Sequence, residues 1–237
     1  TWGAHYRLNS NQVAYTDIVN FNPQHSSNHF FSLFIRDEIT LIPNHLLFTI
    51  GTRLDHNDFT GLEVQPNARL MWTPNDNNSI WMAVSRAVRT PSRLEHDALV
   101  KTGIGSGRLG PIPVQAVLQG LSNFDSEKLV AYELGYRHQF SESASIDIAG
   151  FINDYSQLRD FSFGALALSS GLPQQFVLPI LPTNKASALT YGFEVSADWK
   201  PLGRWRLQSN YSYLAMDISS NEQFKQFDPA TGGADKV

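Results

Sequence analysis

The stretch from Leu62 to Pro91 restricts the fold more than any other, because it alternates apolar and polar side chains over two long runs joined by a tight turn. Leu62, Val64, Pro66, Ala68, Leu70 and Trp72 are apolar. Glu63, Gln65, Asn67 and Arg69 between them are polar, and Met71 is the exception. A period of two puts the two sets on opposite faces of a strand. Thr73-Pro74-Asn75-Asp76-Asn77-Asn78 makes a polar turn, and Ile80, Met82 and Val84 share a face of the return run, so the stretch predicts a β-hairpin. Each run is roughly 11 to 13 residues, about twice a usual soluble strand and close to the roughly 9 to 11 that cross a bilayer at a tilt. Trp72 and Trp81 flank the turn, where an aromatic ring can sit between acyl chains and headgroups. A long hairpin in a soluble sandwich gives the same local pattern, so repetition has to decide.

The pattern repeats. Phe31, Leu33, Ile35, Ile39 and Leu41 share one face, broken by Asp37, and Leu46, Phe48, Ile50 and Leu54 oppose Thr49, Gly51, Arg53 and Asp55. Further on, Val130, Tyr132, Leu134 and Tyr136 oppose Glu133, Gly135 and Arg137, and Ile146, Ile148 and Ile152 oppose Asp147 and Asn153. Leu189, Tyr191, Phe193, Val195, Ala197 and Trp199 alternate without exception, and Trp205, Leu207, Tyr211 and Tyr213 follow after a turn at Lys200 to Gly203. These runs predict about eight or nine long strands, at roughly 30–42, 45–55, 62–73, 78–90, 128–140, 144–156, 187–200 and 204–217.

The links sort by length. Those near Pro43, Pro74, Glu142 and Pro201 are tight, whereas roughly 91–127 and 157–186 are long, lack a sustained period and carry several Gly and Pro. Asn9 to His29, rich in Asn, Gln, Ser and His, reads as a long polar loop, and 222–237 as a polar tail. Short turns at one end and long loops at the other mark an outer-membrane barrel, with the short turns periplasmic. A soluble sandwich has no reason to sort its links this way, and structureless links of that length are uncommon in compact domains. The fold class expected is therefore all-β, an antiparallel transmembrane β-barrel segment.

Composition agrees. Charged residues are only 17% and hydrophobic ones 42%, and no apolar run is long enough for a membrane helix, as expected where lipid-facing and lumen-facing residues average out. A net charge of −4 gives a nucleic-acid partner no electrostatic support, and the absence of cysteine removes disulfides and thiolate chemistry.

Five phrases resemble the barrel of TonB-dependent outer-membrane receptors. They are Val64 to Asp76, Trp81 to Arg93, Ser126 to Arg137, Phe151 to Tyr155 and Tyr191 to Trp199, and they run in that family's order through most of residues 30 to 215. The resemblance implies a closed barrel of about 22 strands filled by a plug, and capture and energised import of a scarce ligand such as a ferric siderophore. It also implies an outer-membrane location among lipid and lipopolysaccharide, and coupling to a TonB-type inner-membrane complex through the plug. No plug precedes Thr1 and no terminal aromatic strand follows Val237, so the expectation is a segment of a longer protein. The alternatives are a passive porin-like channel and an outer-membrane barrel hydrolase. No Ser, His and Asp arrangement has the spacing of a triad, no metal or cofactor motif stands out, and the protein is expected not to be an enzyme.

Inward positions carry Arg36, Glu38, Arg53, Arg69, Arg89, Glu133, Arg137, Glu194, Asp198 and Arg206, expected to pair with one another or with the plug, with ligand contact the lesser reading. Arg93, Glu95, His96, Asp97 and Arg108 are weaker candidates for a ligand loop, since consecutive charged side chains in a loop are more often just solvated. Gly103, Gly105, Gly107 and Gly110 lack the Lys and Ser/Thr of a phosphate loop. Trp72, Trp81, Trp199 and Trp205 are the expected aromatic girdle. Arg86 falls on the lipid-facing parity, to be rescued by a bulge or by snorkelling toward lipopolysaccharide phosphates.

Overall fold

A computed structural model describes residues 1–169 and 174–220, with backbone alone at 104–106; the tail expected at 222–237 and the middle of the second long link lie outside the described residues. The strands are β1 (Trp2–Gln12), β2 (Val19–Phe21), β3 (His25–Ile42), β4 (Leu46–Asn57), β5 (Gly61–Asn75) and β6 (Asn78–Arg89). After the short helix α1 (Arg93–His96) come β7 (Ala98–Leu109), β8 (Ile112–Gln119), β9 (Glu127–Ser141), β10 (Ala144–Phe163), β11 (Ala167–Leu168), β12 (Phe176–Leu202) and β13 (Trp205–Ser219). All join one sheet in the order β1-β3-β4-β5-β6-β9-β10-β12-β8-β7-β2, with β11 and β13 also pairing with β12. Among the described residues only the β8–β12 pairing is parallel.

Two zones divide this sheet. In the wall, formed by β1, β3 to β6, β9, β10, β12 and β13, the register carries each face unbroken from strand to strand. Leu46, Trp72, Ile80, Tyr136, Ile148, Val195 and Tyr211 are successive cross-strand partners on the outer face. One residue along, Met71, Trp81, Gly135, Ala149, Glu194 and Ser212 line the inner one. The outer face leaves Met82, Leu134 and Ile152 each at least half exposed. An apolar surface this extensive needs acyl chains against it, and no described helix is long and apolar enough to cross a membrane in the strands' place.

The second zone is a collar beyond the wall, at the end opposite the tight turns. Here β7 pairs with β8, β8 runs beside the first residues of β12, and β2 edges β7, which returns the sheet to the β1–β3 connection. Ala98, Ala116, Phe124, Ile180, Pro182 and Ser126 are buried within it.

Three expectations are corrected here. The polar loop at Asn9 to His29 is largely strand: β1 and β3 pair as far as Gln12 opposite His25. The link at 91–127 holds α1 and the β7–β8 hairpin, and the link at 157–186 is shortened from both ends by β10 and β12. The reason is common to all three. Beyond the bilayer neither face touches lipid, so a strand there has no need to alternate. Pro179 and Pro182 lie within β12, Pro179 opposite Val117 of β8 with its carbonyl also accepting the Gly164 N–H, and Pro182 opposite Phe161 of β10.

Candidate functional site

The charged residues collect at the mouth, where wall meets collar. Arg89 closes β6 directly opposite Glu127, the first residue of β9. Its Nε donates to Glu127 at 2.5 Å, and a terminal nitrogen donates to Glu95 at 2.7 Å. Arg159, from the upper part of β10, donates to Glu95 at 3.2 Å through its guanidinium and to Glu127 at 2.8 Å through its backbone. The Ser92 N–H and hydroxyl complete the set on Glu95 at 2.8 and 3.0 Å, so this carboxylate, 3% exposed, caps the first turn of α1 and ties two wall strands to it. Burial alone would push the Glu95 carboxyl up, but the donors from Arg89 and Ser92 outweigh it and hold the group below the usual carboxylate range.

Arg93 anchors the other side of α1. It donates to Asp97 at 2.9 Å, to the Asn11 side chain and to the Pro23 carbonyl, and its guanidinium lies 4.9 Å from the Phe21 ring centre. His96 contacts Asp97 at 2.6 Å and meets the Phe59 ring edge-on. Gly120 lies under the end of α1, where any Cβ would come within 2.7 Å of the His96 backbone. Asn184 receives the Asp125 N–H and donates to the Asp125 and Gln157 carbonyls, which fixes the base of the collar to β12.

The ligand-loop candidates thus divide. Arg93, Glu95, His96 and Asp97 are engaged inside the collar and not presented to solvent as a solvated loop would be. Arg108 stays exposed near the β7–β8 turn, bonded to the Pro111 carbonyl. Among the described residues no cluster of His, Asp and Glu is arranged to hold a metal ion.

On the inner wall, Arg36 pairs with Glu38 at 3.6 Å, Arg53 with Asp55 at 2.8 Å, Arg137 with Asp147 at 3.7 Å and Arg206 with Asp198 at 2.6 Å. Glu133 and Glu194 have no ion pair among the described residues. Arg69 lies 4.7 Å over the Trp81 ring, which itself covers Gly135, where a Cβ would meet the indole at 2.2 Å. Trp81 therefore faces inward, correcting its place in the girdle; its neighbours Ile80 and Met82 hold the outer positions. Trp72, Trp199 and Trp205 do stand exposed on the outer face. Arg86 is also corrected. The register around it has no bulge, and its head turns through the wall to Glu63 at 3.7 Å instead of up toward headgroups.

Sequence reasoning missed Glu127, Arg159 and Asn184. For Glu127 a signal existed, since it directly opposes Arg89 once the hairpin register is drawn. Arg159 and Asn184 lie in a stretch without alternation, where nothing marks an inward position.

An outward belt of large apolar side chains, an ion-paired inner face and an ordered collar at one end define part of a transmembrane β-barrel of the outer-membrane kind. The family model for the TonB dependent receptor-like β-barrel matches residues 1–235, and the chain belongs to that family, whose barrels sit in the outer membrane. It is 28% identical over 148 residues to the ferric enterobactin receptor of Pseudomonas aeruginosa, a match covering 62% of this chain and 19% of that receptor's length. Solved structures with similar folds include the siderophore receptor PirA from Acinetobacter baumannii (TM-score 0.69, 21% identity, 86% of this chain and 29% of that one). A Pseudomonas aeruginosa ferric enterobactin receptor variant in complex with enterobactin is another (TM-score 0.67, 23% identity, 81% and 27%). These relatives are receptors and not enzymes.

Proposed function

We propose that the receptor to which this chain belongs captures a ferric siderophore or similar metal chelate at its extracellular mouth and imports it into the periplasm. In this reading the collar shapes the mouth, the ion-paired inner face lines the passage, and the outer face rests in lipid and lipopolysaccharide of a Gram-negative outer membrane. A TonB-type complex in the inner membrane supplies the energy through a plug domain outside these residues.

The observation that carries the proposal is the fixed collar. A passive pore gains nothing from an ordered structure at its entrance, whereas a receptor that binds a scarce ligand needs contacting residues held in place before the ligand arrives. The test is uptake of radiolabelled iron, offered with a panel of siderophores, by cells with and without the full-length receptor. At least one chelate should be lost with the receptor, and a protonophore should stop its uptake while leaving surface binding intact. Uptake unchanged for every chelate would overturn the reading, and uptake indifferent to the protonophore would make the protein a passive channel.

A further inference from the structure

The wall has a seam between β5 and β6. Their ladder runs up from the turn and stops at Asn67 opposite Ser85, although β5 continues upward to Gly61 on β4, and β6 to Arg89 on β9. Pro66 is the next residue on β5. In a strand, residues two apart aim their backbone groups at the same neighbour. Val64 presents its carbonyl toward β6, where Arg86 takes it, so Pro66 also belongs to the β6 side and has no N–H to give.

Side chains fill the missing rungs. The Arg86 guanidinium bonds the Val64 carbonyl and reaches the buried Glu63 carboxylate at 3.7 Å. From β5, the Gln65 side-chain oxygen accepts the Val88 N–H at 3.4 Å while its amide donates to Asp55 at 2.7 Å. A depression of about 560 Å³ opens on the outer face at this level, with Thr52, Pro66, Ala68, Val84 and Arg86 among its lining residues. The Thr52 hydroxyl in its lining is buried without a partner.

We infer that Arg86 is the sealing residue of this seam: entering from the lipid side, it takes up the Val64 carbonyl left open where the ladder stops at Pro66 and locks upper β5 to β6. This accounts for a cation on the outer parity, where Asp37 lines the same depression as a second charge. It also makes the upper β5–β6 junction the place where wall closure depends on side chains and not on the ladder.

Hydrogen–deuterium exchange of the full-length receptor in isolated outer membranes tests this, comparing wild type, Arg86→Ala, Pro66→Ala and the double variant. Read at single amides, Arg86→Ala should raise exchange at the seam-facing Val64, Arg86 and Val88 while Glu63, Gln65 and Asn67, whose backbones face β4, stay protected. Pro66→Ala returns an N–H at the position where the ladder lacks one, so the double variant should regain protection close to wild type. If Arg86→Ala fails to assemble, recovery of assembly in the double variant supports the seal equally. Unchanged exchange in Arg86→Ala would overturn the inference. So would a loss, of protection or of assembly, that is just as large when Pro66 is also replaced.

Discussion

Along the wall, large side chains such as Met82, Leu134 and Tyr213 stand on the outside of the molecule, whereas in the collar Phe124, Ile180 and Pro182 are packed inside. The difference reflects two solvents. The wall satisfies its backbone through the ladder and gives its apolar face to lipid, so its stability rests on hydrogen-bond closure and an unbroken greasy belt. The collar stands in water and is held as a soluble domain is, by a small core and by buried polar groups that have found partners. A substitution should therefore have opposite consequences in the two regions.

The largest effect is expected where the collar is keyed to the wall. Glu95→Ala removes the acceptor shared by Arg89, Arg159 and Ser92. Breaking a buried pair of this kind costs about 3–5 kcal/mol, toward the lower end here because Arg89 is nearly half exposed. Limited trypsin digestion of the full-length receptor in outer membranes should then cut between Arg93 and Arg108 under conditions that spare the wild type. Continued resistance would mean that the hairpin pairings of β7 and β8 hold the collar without the Glu95 junction.

Next comes the contrast between the two faces of the wall. Met82→Arg places a charge on the lipid face, at about 2–4 kcal/mol near the bilayer centre, while Ala83→Arg one residue along enters the hydrated side at little cost. The fraction of receptor that migrates as the folded, heat-modifiable species on gels should drop for the first and stay near wild type for the second. The reverse order would invert the assignment of faces on which the wall rests.

The same contrast explains what was legible in the sequence. Alternation such as Leu189 to Trp199 exists because each strand separates lipid from water, and a period of two records that boundary directly. It gave the wall its strands, its faces and its inward charges, including Arg53, Arg137 and Arg206. Ser10, Asn11, Ser26 and Ser27 pair in β1 and β3 with polar groups on both faces, so no period reveals them. Glu95 shows the same limit in the site. Its neighbours in sequence suggest a solvated loop, and only the long-range contacts to Arg89 and Arg159 show it to be buried. Trp81 was misplaced for another reason. Nearness to a turn suggests the girdle, but the parity of position 81 sets it beside Arg69 on the inner face.

Acid should loosen the collar before the wall. The folded Glu95 carboxyl titrates below its ordinary value of 4.5, so the folded state releases this proton more readily than the unfolded one. Its stabilising contribution is complete above that ordinary value and drains away as pH falls through the lowered one. Protection at 91–97, taken relative to the intrinsic exchange rate at each pH, should fall over that acid range while protection along β9 and β10 within the wall stays flat. A parallel fall in both regions would show that the two zones open as one unit.

The smallest effects belong to the exposed ion pairs of the inner face, and here the comparison can be sharpened within the wall itself. Arg137 and Asp147 lie 3.7 Å apart with side chains about half exposed, so Arg137→Ala should change stability by no more than about 1 kcal/mol, and by less in high salt. Arg53 also has an exposed head, but its partner Asp55 is only 6% exposed in its side chain and keeps only the Gln65 amide if Arg53 is truncated. Arg53→Ala should accordingly cost more than Arg137→Ala, and the gap between them should persist in high salt, where a screened surface pair no longer contributes. Urea midpoints of the full-length receptor in detergent micelles, measured for both variants at low and high salt, separate the two cases. Equal midpoints would mean that the wall treats its inner charges alike whatever their depth.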